Sequence, residues 1–295
     1  MPAFMTRLGN LARRGLLALL ALLPMAGTAV ADPALWVARQ GQATFYLFGT
    51  FHMLKPGIDW RSEKIDAAFA SSDALWLEMA EGTDVNEALL WKYGKDPAHP
   101  LSTKLSAAER TRLRAAAERA GIQPVMLESL RPWLAASTLA SAPMMNAGYE
   151  SAFGADNRLL AAAKAAHKPV NGFETAEQQL RFMADLPPEM ELAMLAQVIS
   201  YQAQTETFQN QIFDAWLAGD AEKLGTMMTA DMLSPADKVF YQRLLVDRNA
   251  AWTERIAVLA KAGGTHFIAV GAGHLAGEES LQAKLRQRGF TVERF

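Results

Sequence analysis

Two segments at opposite ends of this chain share one plan: an apolar run, a glycine, two residues and a histidine. Thr44–Phe48 leads into Gly49-Thr50-Phe51-His52, and Thr265–Val270 leads into Gly271-Ala272-Gly273-His274. A run that is apolar at successive residues, rather than at alternate ones, suits a strand buried on both faces. Two matched strand-to-loop turns therefore point to an α/β sheet covered by helices, with two imidazoles at strand ends. Ala74–Leu77 leading into Glu78, and Pro169–Phe173 leading into Glu174, read as further strands of the same kind. Leu35–Ala38 and Phe290–Glu293 read as more peripheral strands.

Between these ends the pattern is helical. Ser106 followed three residues later by Glu109 is a capping box that opens a helix reaching Gly121. Asp156–His167 is an Ala-rich helix stopped by Pro169. Pro187-Pro188 starts a helical pattern that reaches Leu217, and Ser234-Pro235 starts another that reaches Ala262. The expected fold is α/β: a mixed or mostly parallel sheet built from both chain ends, with a large helical insertion over roughly residues 102–263.

The first 31 residues read differently. Arg7, Arg13 and Arg14 precede the short apolar run Gly15–Met25, and Ala29-Val30-Ala31 offers small residues at a cleavage site before Asp32. The run is shorter than the roughly 20 residues that span a bilayer, so residues 1–31 are expected to be a cleaved signal peptide. That implies export to a periplasmic or secreted location. Residues 32–295 would be the functional domain, with no membrane span left after the signal is removed. The chain has no cysteine, which excludes thiol nucleophiles and Cys-ligated zinc. Its 29 Lys and Arg against 31 Asp and Glu give no basic footprint for nucleic acid.

Open α/β sheets bind ligands beyond the carboxyl ends of their strands. Four of the strands expected here end in a titratable group: His52, Glu78, Glu174 and His274. If the sheet is parallel, all four reach one rim. Two histidines with carboxylates can hold a divalent metal or perform acid–base catalysis without one. Glu174 can equally be read as a first-turn helix residue and Asp156 as a helix N-cap. Arg248 in Asp247-Arg248-Asn249 reads as a solvated helix charge from spacing alone. His99 is expected in an exposed loop, His167 in a last helical turn and His266 as a satisfied strand histidine. The pairs Met144-Met145 and Met227-Met228 read as core filler.

Leu47-Phe48-Gly49-Thr50-Phe51-His52 and Val270-Gly271-Ala272-Gly273-His274-Leu275-Ala276-Gly277 resemble the paired signatures of the TraB/GumN family. Gly154-Ala155-Asp156, Lys168-Pro169-Val170 with Gly172-Phe173-Glu174-Thr175, and Arg248-Asn249 with Trp252 complete the resemblance over nearly all of residues 32–295. The family includes the Tiki metal-dependent proteases and is distantly similar to erythromycin esterases and to haem- or iron-binding ChaN-like proteins. The resemblance implies a site of His52, Glu78, Arg248 and His274. Asp156 and Glu174 fall in family-typical positions and join it as candidate cofactor-binding residues. It further implies a divalent ion (Mn, Co or Zn) held by His52, Glu78 and His274, acting on a peptide or small-molecule substrate. Two alternatives stand beside this metallopeptidase reading. One is a metal-free esterase-like hydrolase in which His52 activates water and Glu78 orients it. The other is a haem- or iron-binding or accessory protein without enzymatic activity.

Overall fold

Five of the six strands run in one direction, and this alignment gathers the functional groups. The computed structural model describes residues 32–79, 86–201, 205–230 and 235–295, so the expected signal segment, residues 1–31, lies outside the described residues. The strands are β1 (Leu35–Gln40), β2 (Ala43–Thr50), β3 (Ala74–Met79), β4 (Val170–Glu174), β5 (Gly264–Gly271) and β6 (Thr291–Arg294), in the order β4-β3-β5-β2-β1-β6. β2, β5, β3 and β4 are mutually parallel, and β1 alone is reversed between β2 and β6. The sheet is therefore mixed and mostly parallel. Its centre is β2 and β5, the two strands that carry the Gly-x-x-His turns, paired from Ala43↔Gly264 to Thr50↔Gly271.

The successive apolar residues do what their pattern requires. Phe48, Leu75, Phe267 and Ala269 face one core, closed by Ile65, Phe69, Leu159 and Trp216. Phe45, Leu47, Trp76, Ile268 and Val270 face the other, closed by Trp252, Ile256, Leu281 and Leu285. The helices that supply these lids are α1 (Glu63–Ser71), α5 (Ala155–Ala165), α8 (Thr205–Leu217), α11 (Asp247–Ala260) and α12 (Leu281–Gln287). A separate helical core forms among α3 (Ala107–Arg119), α4 (Pro132–Asn146) and α7 (Pro188–Tyr201), around Leu113, Leu139 and Leu195. Helices α2 (Glu87–Gly94), α6 (Ala176–Ala184), α9 (Ala221–Thr229) and α10 (Pro235–Tyr241) complete the described set. Residues 32–295 form one compact unit, and no helix among the described residues is long and apolar enough to cross a membrane.

Some local expectations hold and others change. The strand expected at Pro169–Phe173 forms as β4 within the otherwise helical stretch and joins the sheet at its edge. The helical pattern after Ser234-Pro235 forms as expected, with one feature the sequence does not show: α10 passes at Tyr241 into a π-helical turn over Gln242–Val246, which leads without a break into α11 at Asp247. The capping box at Ser106 and Glu109 forms as expected. His167 is not in a last helical turn. α5 stops at Ala165, and His167 takes a left-handed φ of 52° just past the cap, with Pro169 preventing continuation. Met145 is 60 % exposed rather than core filler, because it lies at the outer end of α4. His266 stacks on Phe45 and its Nε2 meets the Gly263 carbonyl at 3.3 Å, while its buried Nδ1 has no partner among the described residues.

Candidate functional site

Because β2, β5, β3 and β4 are parallel and adjacent, their carboxyl ends deliver His52, His274, Glu78 and Glu174 to one rim. Two groups from helices join them: Asp156 from the first turn of α5 and Arg248 from the first turn of α11. The structure thus brings all six sequence-predicted residues together. None of the other histidines enters: His99 is exposed and paired to Asp96 at 2.9 Å.

Glu78 is the hub. Its Oε1 accepts the backbone N–H of Gly271 at 2.7 Å, and its Oε2 accepts from Arg248 Nη2 at 2.6 Å and from Gln179 Nε2 at 3.2 Å. Burial raises its pKa, but His274, Arg248, His52 and the Gly271 N–H together lower it to about 2. His274 is uncharged at neutral pH, so the guanidinium of Arg248 and the protonated ring of His52 are the cations that keep Glu78 ionised.

Arg248 has five N–H donors, and the site uses every one. Nε donates to Glu174 Oε1 at 2.9 Å, and Nη2 is shared between Glu174 Oε2 at 2.8 Å and Glu78 Oε2. Nη1 donates to the carbonyl of Leu244 at 3.1 Å and faces His274 Nε2 at 3.1 Å. The guanidinium also lies over Trp252 at 4.8 Å, and Trp252 Nε1 donates to Glu174 Oε1 at 2.9 Å. A side chain read from spacing as a solvated charge is therefore a buried cross-brace. Glu174 is not a first-turn helix residue, since Thr175 is the N-cap of α6 and Glu174 ends β4, 8 % exposed.

The two motif histidines differ. His274 is 3 % exposed and packs 4.3 Å from the Trp252 ring. Asn249 Nδ2 donates to the carbonyls of His274 and Glu279, which turns Oδ1 toward His274 Nδ1 at 2.7 Å. His274 Nδ1 therefore carries the proton, and Nε2 presents its lone pair to Arg248. Burial lowers the His274 pKa to about 3, Arg248 and His52 acting in the same direction against Glu78. His52 lies beyond β2, its turn tied down by the Ala155 N–H to Phe51 carbonyl bond at 2.9 Å. Its Nδ1 meets Asp156 Oδ1 at 3.3 Å, and its Nε2 stands 3.9 Å from Glu78 Oε1. Desolvation by the surrounding walls lowers its pKa. The bond to Asp156 and the charges of Glu78 and Asp156 outweigh that and raise it to about 9. The ring remains 59 % exposed, because those walls flank it without covering it.

Neither motif-opening glycine has positive φ, so the turns do not require a left-handed residue there. Space is the constraint. A Cβ on Gly271 would stand 3.0 Å from His52 Nε2 and 3.1 Å from Glu78 Oε1; one on Gly49 would stand 3.0 Å from the Cα of Ala272. A β-carbon at Gly154 would meet the His52 carbonyl at 2.1 Å, so this glycine lets α5 start against the His52 turn. Sequence reading did not assign roles to Gln179, Asn249 and Trp252. Their adjacency to Glu78, His274 and Glu174 is set by packing rather than by any local pattern.

The donor set fits a divalent ion poorly as arranged. Catalytic zinc sites take three protein ligands. Of the three expected, His274 offers a single lone pair, which faces Arg248. Glu78 Oε1 and His52 Nε2 are the two donors left, and among the described residues no group of three His, Asp or Glu forms a cation site.

The sequence profile of the TraB/PrgY/gumN family matches residues 34–294. The uncharacterized protein YbaP of Escherichia coli (strain K12) is 26 % identical over 86 % of this chain and 92 % of its own length. The corresponding protein of Shigella flexneri matches to the same extent. An uncharacterized protein of Treponema pallidum (strain Nichols) is 21 % identical over 86 % of this chain and 80 % of its own. No solved structure matches.

Proposed function

This chain belongs to the TraB/PrgY/gumN family, and from that premise we propose that its strand-end cluster is the hydrolytic site of an exported enzyme acting on peptide or ester bonds. One observation carries this reading: His52 is held at Nδ1 by Asp156, while its Nε2 faces Glu78 Oε1 across 3.9 Å with the ring open to solvent. That gap is too long for a direct hydrogen bond and short enough for one substrate water to touch both groups. His52 takes the proton from this water, and Glu78, fixed as a carboxylate, orients it. Arg248 fixes Glu78, Glu174 and His274 in place. Its donors are committed to those acceptors, so charge stabilisation by Arg248 at an oxyanion requires one of those bonds to open. The export reading rests on the arginines, apolar run and Ala-Val-Ala site of residues 1–31.

A second reading, in which His52, Glu78 and His274 hold a divalent ion, requires Arg248 to release His274. Turnover of a panel of peptide and ester substrates before and after thorough chelation separates the two. Chelator-resistant activity that is lost in His52→Ala supports the metal-free site. Activity that disappears on chelation and returns with Mn, Co or Zn supports the metal site. Equal turnover by wild type and His52→Ala overturns both.

A further inference from the structure

Adjoining this cluster, and sharing the braced residues Glu174, Arg248 and Trp252 with it, lies a cleft to which the hydrolytic reading gives no role. It has a volume of about 680 Å³ and opens between α6 and α11, floored by Gly172 and Phe173 of β4. We propose that this cleft takes an extended acidic peptide segment, which adds to the free edge of β4 as a further strand.

The backbone supports the first half of this inference. Among the described residues β4 is the end strand and pairs with β3 alone. The Leu75 N–H to Pro169 carbonyl bond, with Leu75↔Val170 in register, fixes the phase of the pairing. Pro169, Asn171 and Phe173 turn their peptide groups to β3, and Val170, Gly172 and Glu174 turn theirs outward. Gly172 has no side chain, so it lines the cleft with backbone. Among the described residues its N–H and carbonyl have no partner. Edge strands are commonly blocked by lysine, proline or a covering element; at Gly172 no hydrogen bond from a described residue occupies the outward peptide groups. An extended peptide bound to such an edge gains affinity from main-chain hydrogen bonds and selectivity from alternate side chains.

The walls support the second half. Arg243, Asp247, Ala251 and Arg255 recur every four residues along α11 and the turn before it, so one helix face lines the cleft. Arg243 and Arg255 stand about 18 Å apart along that axis at 1.5 Å per residue, about the length of a five- to six-residue strand. Neither meets a carboxylate among the described residues: Arg243 donates to the Asp185 carbonyl at 3.3 Å, and Arg255 lies over Trp76 at 5.8 Å. Arg181 is paired with Asp185, and Asp247 accepts from Gln242. The two unmatched guanidiniums at either end of a strand-length groove select for carboxylates on the incoming segment.

The inference is independent of the hydrolytic reading, because binding is measured without turnover. The experiment is fluorescence anisotropy on the full chain with two labelled peptides of about six residues, one alternating Thr and Glu, the other Thr and Lys. Saturable binding of the acidic peptide, at least tenfold tighter than the basic one, is expected. Gly172→Pro removes the outward N–H while leaving the inward ladder intact, and should weaken binding about tenfold; Arg255→Glu should narrow the preference between the peptides. Absence of saturable binding, equal affinity for both peptides, or affinities unchanged in both variants overturns the proposal. So does equal competition by free glutarate, which would show an anion site without strand addition. Matching circular dichroism and melting curves for Arg255→Glu establish that its result reports on the cleft.

Discussion

The two Gly-x-x-His turns have nearly the same local sequence and the same place at the end of a central parallel strand, yet their histidines have opposite chemistry. His274 is packed between Trp252 and Arg248, bonded through Asn249 into one tautomer, and neutral down to about pH 3. His52 stands open at the rim between two carboxylates, and its proton is held up to about pH 9. Strand-end position supplies an imidazole; neighbours decide whether it titrates. The buried histidine serves as an acceptor that holds Arg248, and the exposed one is the group able to exchange a proton with substrate.

The largest test of this contrast is His52→Ala. It should lower kcat/KM by about 10²- to 10⁴-fold, while the urea midpoint measured above about pH 9, where the His52 proton no longer contributes, changes little, as an exposed substitution does. A comparable loss of stability would erase the distinction between the two turns. Arg248→Met should cost about 3–5 kcal/mol in urea unfolding, because it leaves Glu78 and Glu174 buried without their cation. A change below about 1 kcal/mol, the value of an exposed pair, would show that the brace is solvated. Asn249→Ala should cost about 1–3 kcal/mol by leaving His274 Nδ1 unsatisfied. It should also release the fixed tautomer, visible as altered ring ¹⁵N shifts of His274. Unaltered shifts would assign that tautomer to another cause.

The two histidines should also tilt stability in opposite directions with pH. His274 stays neutral in the folded chain while the unfolded chain gains a proton below 6.5, so its contribution is full above 6.5 and falls toward pH 3. Glu78 adds a loss as pH falls from 4.5 toward 2, which leaves 4.5–6.5 as the window that reports His274. His52 contributes stability below 6.5 that is lost as pH rises through about 9. His274→Gln should flatten the acid limb between 4.5 and 6.5, and His52→Gln the alkaline limb. Limbs unchanged by either substitution would remove the electrostatic distinction. If His52 is the base, activity should climb with pH toward about 9, since only neutral imidazole accepts a proton.

The alternation-free apolar runs, the glycines beside them and the titratable residues after them were legible because each is a property of a few consecutive residues. From these the chain alone determined an α/β sheet and strand-end places for His52, Glu78 and His274; the parallel pairing of β2, β5, β3 and β4 made that a shared rim and brought Glu174 into it. Arg248 was reachable only through family resemblance, since a lone helix charge looks the same buried or solvated. Asn249 and Trp252 came with the same resemblance but without a role, and Gln179 carried no local signal at all. Which histidine titrates, which carboxylate is braced and where β4 leaves an open edge were decided by tertiary structure. The physical reason is that burial and the placement of countercharges depend on residues 25 to 193 positions apart being brought within about 3 Å, the distance at which hydrogen bonds form, and no stretch of sequence encodes that distance by itself.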